Sequence, residues 1–327
     1  MHIPDNYLSP STCAVMGAAM VPVWAMSARK IGKELSSSKV PLLGIGAAFS
    51  FLLMMFNVPL PGGTTGHAVG GTLVAILLGP WAACISVTIA LLLQALFFGD
   101  GGILAFGANC FNMAFVLPFV GYYLYKIIKD RITSPSGDVI AMSVASYIGI
   151  VLASLCAGIE FGLQPYFYKD LSGHALYCPY PLVISIPAMV IPHLLVAGVV
   201  EAVFTVSIVM FIRRLSPGII YEGPKNRLSA VYGLIVTLIC LSPLGLLAAG
   251  TAWGEWGADE IEKVVENGSV LGYVPESMRA GFRFTPPIPD YAVNGLPEWL
   301  GYVISAVAGA ALLVILFKVL GLVVRKG

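Results

Sequence analysis

The sequence predicts an all-α polytopic membrane protein with about nine transmembrane helices, and three observations support this fold class. The 327 residues are 58% hydrophobic and only 11% charged, with a mean hydropathy of +0.88. In a soluble protein about a quarter of the residues are charged, so the composition excludes a soluble globular protein. Long apolar runs recur along the chain, and basic residues cluster between them. The net charge of +1 gives no basis for binding nucleic acid.

Polar breaks divide the apolar runs into nine predicted helices. Their approximate boundaries are 12–28, 40–56, 67–79, 81–98, 108–128, 138–163, 186–212, 228–249 and 299–322. The character of the chain changes after residue 227, where two helices flank a long loop with eight acidic residues. We interpret this loop as a solvated external face, with Trp253, Trp256 and Trp299 as anchors at the membrane interface.

The stretch from Ala68 to Phe98 is one unbroken apolar run that contains Gly79-Pro80, and it could form either one kinked helix or a helical hairpin. With a hairpin and an external amino terminus, 14 of the 18 basic residues fall on the cytoplasmic side, as the positive-inside rule requires. The sequence therefore predicts a hairpin, an external amino terminus and a cytoplasmic carboxyl terminus. The third helix is then too short to cross the bilayer, which leaves His67 below the outer surface.

The first two residues contain the elements of a metal chelate. The α-amine of Met1, the deprotonated amide nitrogen of His2 and Nδ1 of the His2 ring can close two fused rings and occupy three corners of a square. His67 is the candidate for the fourth corner, because its glycine-rich loop can bend toward the terminus. An all-nitrogen square plane suits Ni(II), Cu(II) or low-spin Co(II). The alternative is that both histidines are ordinary polar residues.

The first ten residues indicate that Met1 keeps its amine. They have no basic n-region, they include Asp5, and Pro4 and Pro10 interrupt them, so a cleaved signal peptide is not expected. The bulky side chain of His2 also disfavours removal of Met1.

Other polar residues in or near the predicted helices admit two interpretations. Asn109 and Asn112 either hydrogen-bond between helices or support the metal ligands. Glu160, His193 and Glu201 either form a path for ions or protons or pair structurally with polar neighbours, and the lack of a dense ligand set favours structural pairing. The six cysteines form no C-x-x-C motif and are expected to be small buried apolar residues.

Four motifs together carry a family resemblance. They are Met1-His2-Ile3-Pro4-Asp5-Asn6-Tyr7-Leu8, Gly66-His67-Ala68-Val69-Gly70-Gly71-Thr72-Leu73, Leu78-Gly79-Pro80-Trp81 and Gly107-Ala108-Asn109 with Asn112-Met113. They resemble the CbiM/NikM family, the membrane components that capture nickel or cobalt for energy-coupling factor transporters. The resemblance identifies residues 1–227 as a seven-helix metal-capture domain. Residues 228–327 resemble the two-span auxiliary component of these systems, fused into the same chain.

The resemblance implies a ligand set and a set of partners. Met1, His2 and His67 would hold the metal, and Asn6 stands where the family usually has glycine, which asparagine can replace in a left-handed turn. The implied partners are a transmembrane coupling subunit and two ATP-binding-cassette ATPase subunits. The chain itself has no phosphate-binding loop, because the Gly-Lys pair at 32–33 is followed by Glu34 and lacks the earlier glycine.

The expected function is therefore uptake of Ni(II) or Co(II) as transported ligand, with a slight preference for nickel, by a component that is not an enzyme and needs no cofactor. An alternative is a stand-alone secondary transporter driven by protons or sodium through Glu160, His193 and Glu201. An intramembrane metallohydrolase is disfavoured, because the sequence has no H-E-x-x-H motif.

Overall fold

The computed structural model describes residues 1–34, 40–61, 64–132, 134, 136–216, 228–266 and 269–326. Nine helices, which we label in chain order, form most of this part of the chain. They are α1 (Pro10–Glu34), α2 (Val40–Met54), α3 (Gly71–Leu78), α4 (Pro80–Phe98), α5 (Phe106–Arg131), α6 (Gly137–Phe167), α7 (Leu182–Leu215), α8 (Leu228–Leu247) and α9 (Glu298–Lys326).

Short strands occupy two of the connections. An antiparallel pair, β1 (Val58–Leu60) and β2 (Thr64–Gly66), lies between α2 and α3. A second pair, β3 (Val265–Glu266) and β4 (Ser269–Val270), lies in the long connection between α8 and α9, together with a short helix, Glu276–Ala280.

The predicted all-α class is confirmed, and a helix occurs at each of the nine predicted positions. Within the described ranges, seven helices are long and apolar enough to cross a membrane. The other two, α2 with 15 residues and α3 with 8, are shorter. The number and direction of the crossings therefore stay predictions. Outside the described residues lie Gly62, Gly63, Lys39, Lys225, Arg227 and the predicted boundary after residue 227.

The third helix begins four residues later than predicted. Residues 67–70 are not helical, and the helix is bounded by Gly70, with φ of 72°, and Gly79, with φ of 89°. Glycine adopts positive φ without the penalty that a Cβ imposes, so these two positions set the limits of the helix. The apolar pattern continued through Ala68 and Val69 and did not reveal the break. His67 therefore lies in a loop.

The predicted hairpin between α3 and α4 is present. Val74 and Ala75 of α3 pack in one cluster with Ala83 of α4. In a single straight helix, Val74 and Ala83 would lie about 13 Å apart along the axis. Their contact requires the chain to reverse at Gly79-Pro80.

Small residues join the carboxyl-terminal helix to α2. A Cβ on Gly44 would lie 2.9 Å from the carbonyl oxygen of Leu313, and a Cβ on Gly309 would overlap the ring of Phe51. Gly44 and Gly309 therefore allow close contact between α2 and α9. This contact places α9 against the first half of the bundle.

The long connection between α8 and α9 covers the amino-terminal segment. Trp253 is buried against Phe161 and Tyr180, with ring centroids 5.7 and 5.4 Å away. The Tyr7 hydroxyl donates a hydrogen bond to the carbonyl of Trp256 at 2.9 Å. The prediction that Trp253 is a membrane anchor is wrong, because its ring is enclosed by protein instead of facing an interface.

The α2–α9 contact can be tested by a matched pair of glycine substitutions. We expect Gly44→Ala to lower the free energy of unfolding by about 1–3 kcal/mol, because the added methyl group collides with the backbone of α9. Gly233→Ala is the control, since nothing lies within 4 Å of a Cβ at that position. Thermal unfolding of both variants in the same detergent measures the difference. Equal midpoints for the two variants would contradict the described packing.

Candidate metal centre

The first residues of the chain run into the protein interior. Met1, His2 and Ile3 are buried. Asn109 of α5 binds both main-chain groups of Ile3: its Oδ1 accepts from the Ile3 N–H at 2.8 Å, and its Nδ2 donates to the Ile3 carbonyl at 3.0 Å. Both bonds are buried, so they fix the position of the residue that follows His2.

A tight turn of half-buried residues follows Ile3, and the chain is buried again at residues 7–9. Asn6 has φ of 71°, which confirms the expected left-handed conformation. The Asp5 carboxylate accepts hydrogen bonds from the N–H groups of Ile103 and Leu104 at 3.0 and 2.7 Å. The turn is therefore tied to the loop between α4 and α5.

Glu201 of α7 holds the loop that carries His67. Its buried carboxylate accepts hydrogen bonds from the N–H groups of Val69 at 2.7 Å and Gly70 at 3.0 Å. Nδ1 of His67 lies 3.1 Å from the carbonyl oxygen of Ala68. The structural pairing favoured for Glu201 is present, and its partner is the loop next to His67.

The His2 and His67 rings meet in the interior. Nδ1 of His2 lies 3.2 Å from Nε2 of His67, and the ring centroids are 4.9 Å apart. Both side chains are buried. The two residues are 65 positions apart in the sequence, and the structure brings them together as predicted. Their role as metal ligands remains a prediction.

Two carboxylates contact the candidate ligands. The Met1 amine lies 3.2 Å from Oε1 of Glu255, and Nδ1 of His2 lies 3.0 Å from Oδ1 of Asp100. The other oxygen of Asp100 accepts a hydrogen bond from the Tyr291 hydroxyl. The Met1 amine and the His2 ring therefore each have an acidic partner.

Sequence reasoning did not identify either carboxylate. Asp100 lies in the glycine-rich stretch Gly99-Asp100-Gly101-Gly102, which has no pattern typical of a ligand set. Glu255 gave no local signal, because it is 254 residues from Met1 and looks like one of several acidic residues on a solvated loop.

Burial and charge determine the protonation of the site. Burial, followed by the positive charges of the terminal amine and of His2, lowers the pKa of His67 well below its ordinary value. The ring is therefore neutral at neutral pH, which is the form that binds metals. Burial alone would raise the pKa of Asp100, but the neighbouring His2 and His67 rings and the hydrogen bond from Tyr291 together lower it. Asp100 is therefore a charged carboxylate.

The arrangement offers mainly nitrogen donors. Among the described residues, no group of three or more His, Cys, Asp or Glu side chains is arranged to hold a metal ion. In the predicted ligand set, a metal beside His2 and His67 would also bind two main-chain nitrogens, those of the Met1 amine and the His2 amide. The carboxylates of Glu255 and Asp100 lie next to the Met1 amine and the His2 ring. Four nitrogens of these types can form the square plane that Ni(II) favours.

The remaining polar candidates have local partners. Nδ2 of Asn112 donates to Oε2 of Glu160 at 2.8 Å, and Nδ1 of His193 lies 2.6 Å from the carbonyl oxygen of Met189. These bonds agree with structural pairing. Asn109 differs from them, because it binds the residue next to His2.

Comparison with known family models gives two matches along the chain. Residues 2–219 match a family described as cobalt uptake substrate-specific transmembrane region, CbiM. Residues 227–326 match the PDGLE domain.

Several known proteins are similar to nearly the whole chain. The probable fused nickel transport protein LarMN of Lactiplantibacillus plantarum is 49% identical over 321 residues, which are 97% of each chain. The fused nickel transport protein NikMN of Rhodobacter capsulatus is 46% identical over 333 residues, covering 96% of this chain and 95% of the relative. A crystal structure of a truncated transition metal transporter has 54% identity and a TM-score of 0.62, and the match covers 65% of this chain and 99% of that one.

Two observations show that the chain is a multi-pass membrane protein. They are its similarity to these relatives and the seven long apolar helices among the described residues.

The support that Glu201 gives to the His67 loop can be tested by hydrogen exchange. We expect Glu201→Ala to speed exchange at the amides of Val69 and Gly70, because both lose their buried acceptor. Mass spectrometry of a peptide spanning residues 65–72 measures the change. Glu160→Ala is the control, since it removes another buried carboxylate whose described partner is Asn112. Unchanged protection in Glu201→Ala would contradict the role of Glu201.

Proposed function

The chain belongs to the CbiM family of cobalt uptake substrate-specific transmembrane regions, and on that premise we propose that it captures Ni(II) or Co(II) for uptake into the cell. In this proposal Met1, His2 and His67 are the metal ligands. The cation is the transported substrate and not a resident cofactor. The chain acts as the substrate-specific membrane component of an ATP-driven energy-coupling factor transporter.

One observation carries the proposal: two buried imidazoles from distant parts of the chain approach to 3.2 Å. A purely structural pair of histidines would not need the chain terminus beside it. Here the amine of Met1 is buried next to His2, at the cost of removing a charged group from water. The amine, the amide and the ring of the first two residues can close one five-membered and one six-membered chelate ring on one cation, and His67 would occupy the fourth corner of the square.

The donor set supports a slight preference for nickel. Nitrogen donors in a plane favour Ni(II) over Mg(II) or Ca(II), which prefer oxygen. The two similar proteins described above carry nickel transport in their names. Cobalt(II) in the same plane is the alternative cargo, and supply in the cell counts for more than intrinsic affinity.

The energy source in this proposal lies outside the chain. The sequence has no phosphate-binding loop, so ATP hydrolysis would belong to two ATPase subunits that act through a transmembrane coupling subunit. A proton- or sodium-driven transporter built on Glu160, His193 and Glu201 is less well supported, because each of these side chains is engaged by a local partner.

The chelate makes metal binding sensitive to residues added before Met1. We expect two alanines placed before Met1 to weaken nickel binding by more than about 100-fold, because the Met1 nitrogen becomes an amide and the free amine moves away from the His2 ring. A single added residue is unsuitable, since it would place histidine third in the chain and create a new four-nitrogen chelate. Equilibrium dialysis with nickel analysis measures the bound metal. Two alanines added after Gly327 are the control, and the thermal midpoint checks the fold. One tightly bound nickel per chain in the extended protein would disprove the ligand set.

Reconstitution distinguishes the two energy sources. We expect the purified chain alone in proteoliposomes to take up no nickel when a pH or sodium gradient is applied. Co-reconstitution with a coupling subunit and two ATPase subunits should produce uptake that requires ATP. Gradient-driven uptake by the chain alone would instead favour the secondary transporter.

A further inference from the structure

One cavity connects the candidate metal centre to the protein surface. It has a volume of about 440 Å³. His2 and His67 lie in its wall at the buried end, whereas Asp290 and Glu298, which also line it, are exposed. The cavity therefore offers a route from solvent to the two rings.

The wall of this cavity is negatively charged. Four carboxylates line it, those of Asp100, Glu255, Asp290 and Glu298, and the described lining residues include no lysine or arginine. Asp100 and Glu255 are engaged by His2 and Met1. Asp290 and Glu298 form no ion pair or hydrogen bond within the described part of the chain. The outer end of the cavity therefore has negative charge that no basic residue neutralises.

Asp290 is held in place by its surroundings. Asp290 and Tyr291 both have positive φ, 53° and 61°. Aspartate tolerates this conformation, whereas a bulky tyrosine adopts it only when the surrounding structure requires it. The carbonyl of Tyr291 accepts a hydrogen bond from Ser305 at 2.9 Å, and its hydroxyl binds Asp100. Burial, and after it the charge of Asp100, raises the pKa of Asp290. The charges of Asp290 and Asp100 therefore act on the same region.

A separate observation at the inner end points to a ligand. His2 lines the cavity, and its Nε2 atom is buried without a hydrogen-bond partner among the described residues. An unpaired buried nitrogen is costly unless water or a ligand reaches it. Within the described ranges, the cavity therefore has two carboxylates without a basic partner, Asp290 and Glu298, at its outer end. At its inner end it has His2, whose ring nitrogen Nε2 is unpaired.

We propose that this cavity is an electrostatic access route for hydrated divalent cations, in which Asp290 and Glu298 raise the rate at which the cation reaches His2 and His67. The inference rests on the proposed function, since it concerns how the same site is filled. Fixed charges in a cleft with protein walls concentrate the field, raise the local concentration of counter-ions and speed association. Because neither residue contacts the candidate ligands, the dissociation rate should not depend on them.

The route also implies a specificity. A free dication is attracted by the mouth of the cavity, whereas an anionic metal–carboxylate complex is repelled by the same charges. The chain should therefore take the free hydrated ion in preference to an anionic complex of the same metal.

Association kinetics test this proposal directly. The full chain is placed in nanodiscs of zwitterionic lipid and mixed rapidly with nickel chloride at about 0.01 M ionic strength, where the Debye length is about 30 Å. Radioactive nickel retained after rapid filtration gives the association rate constant, and dilution into excess chelator gives the dissociation rate constant. The test variant is Asp290→Asn with Glu298→Gln. Asparagine is suitable at position 290 because it tolerates positive φ.

A second pair of substitutions controls for net charge. Asp259→Asn with Glu262→Gln removes the same charge from exposed residues of the same connection that do not line the cavity. We expect the test variant to associate about threefold or more slowly than the unmodified chain, with an unchanged dissociation rate. The control pair should associate at nearly the original rate. The difference should vanish at about 1 M salt, where the Debye length is about 3 Å.

Three results would overturn the proposal. They are an unchanged association rate in the test variant, equal slowing by the control pair, and a change confined to the dissociation rate. In each of these cases the unmodified chain still binds nickel, so the proposed function stands while the access route fails. Absence of saturable nickel binding by the unmodified chain would reject both.

Discussion

The close approach of His2 and His67 is the contact on which the rest of the site depends. It requires the amino-terminal residues to be buried in the interior. It also requires residues 67–70, between β2 and α3, to remain non-helical. Asn109 fixes the first requirement through Ile3, and Glu201 fixes the second through Val69 and Gly70. Asn109 and Glu201 each form hydrogen bonds with two main-chain groups. The geometry of the site is thus set by buried hydrogen bonds from α5 and α7.

Burying a charged terminus explains why the carboxyl-terminal region belongs to the site. The penalty for taking an ammonium group out of water is on the order of several kcal/mol, and an acidic partner offsets part of it. Glu255 supplies that partner for Met1, from the connection between α8 and α9. A metal that binds the amine would require it to lose one proton, and the two remaining N–H groups could still donate a hydrogen bond to Glu255. The contact of α9 with α2 holds this connection over the site.

The helical framework was largely predictable from the sequence, and the long-range polar contacts were not. Apolar run lengths located the helices, and the basic residues together with Gly79-Pro80 predicted the hairpin. The left-handed Asn6 followed from its residue type. The start of α3 was misplaced because positive φ at Gly70 interrupts an apolar run without changing its hydropathy. Asp100 and Glu255 carry no local pattern, since their partners at residues 1 and 2 are close only after folding.

X-ray absorption spectroscopy at the nickel edge of the loaded protein tests the central claim most directly. The account predicts a four-coordinate planar shell of nitrogen donors only, supplied by the amine and amide of the first two residues and by the two imidazoles. A six-coordinate shell, or oxygen or sulfur among the bound atoms, would contradict it.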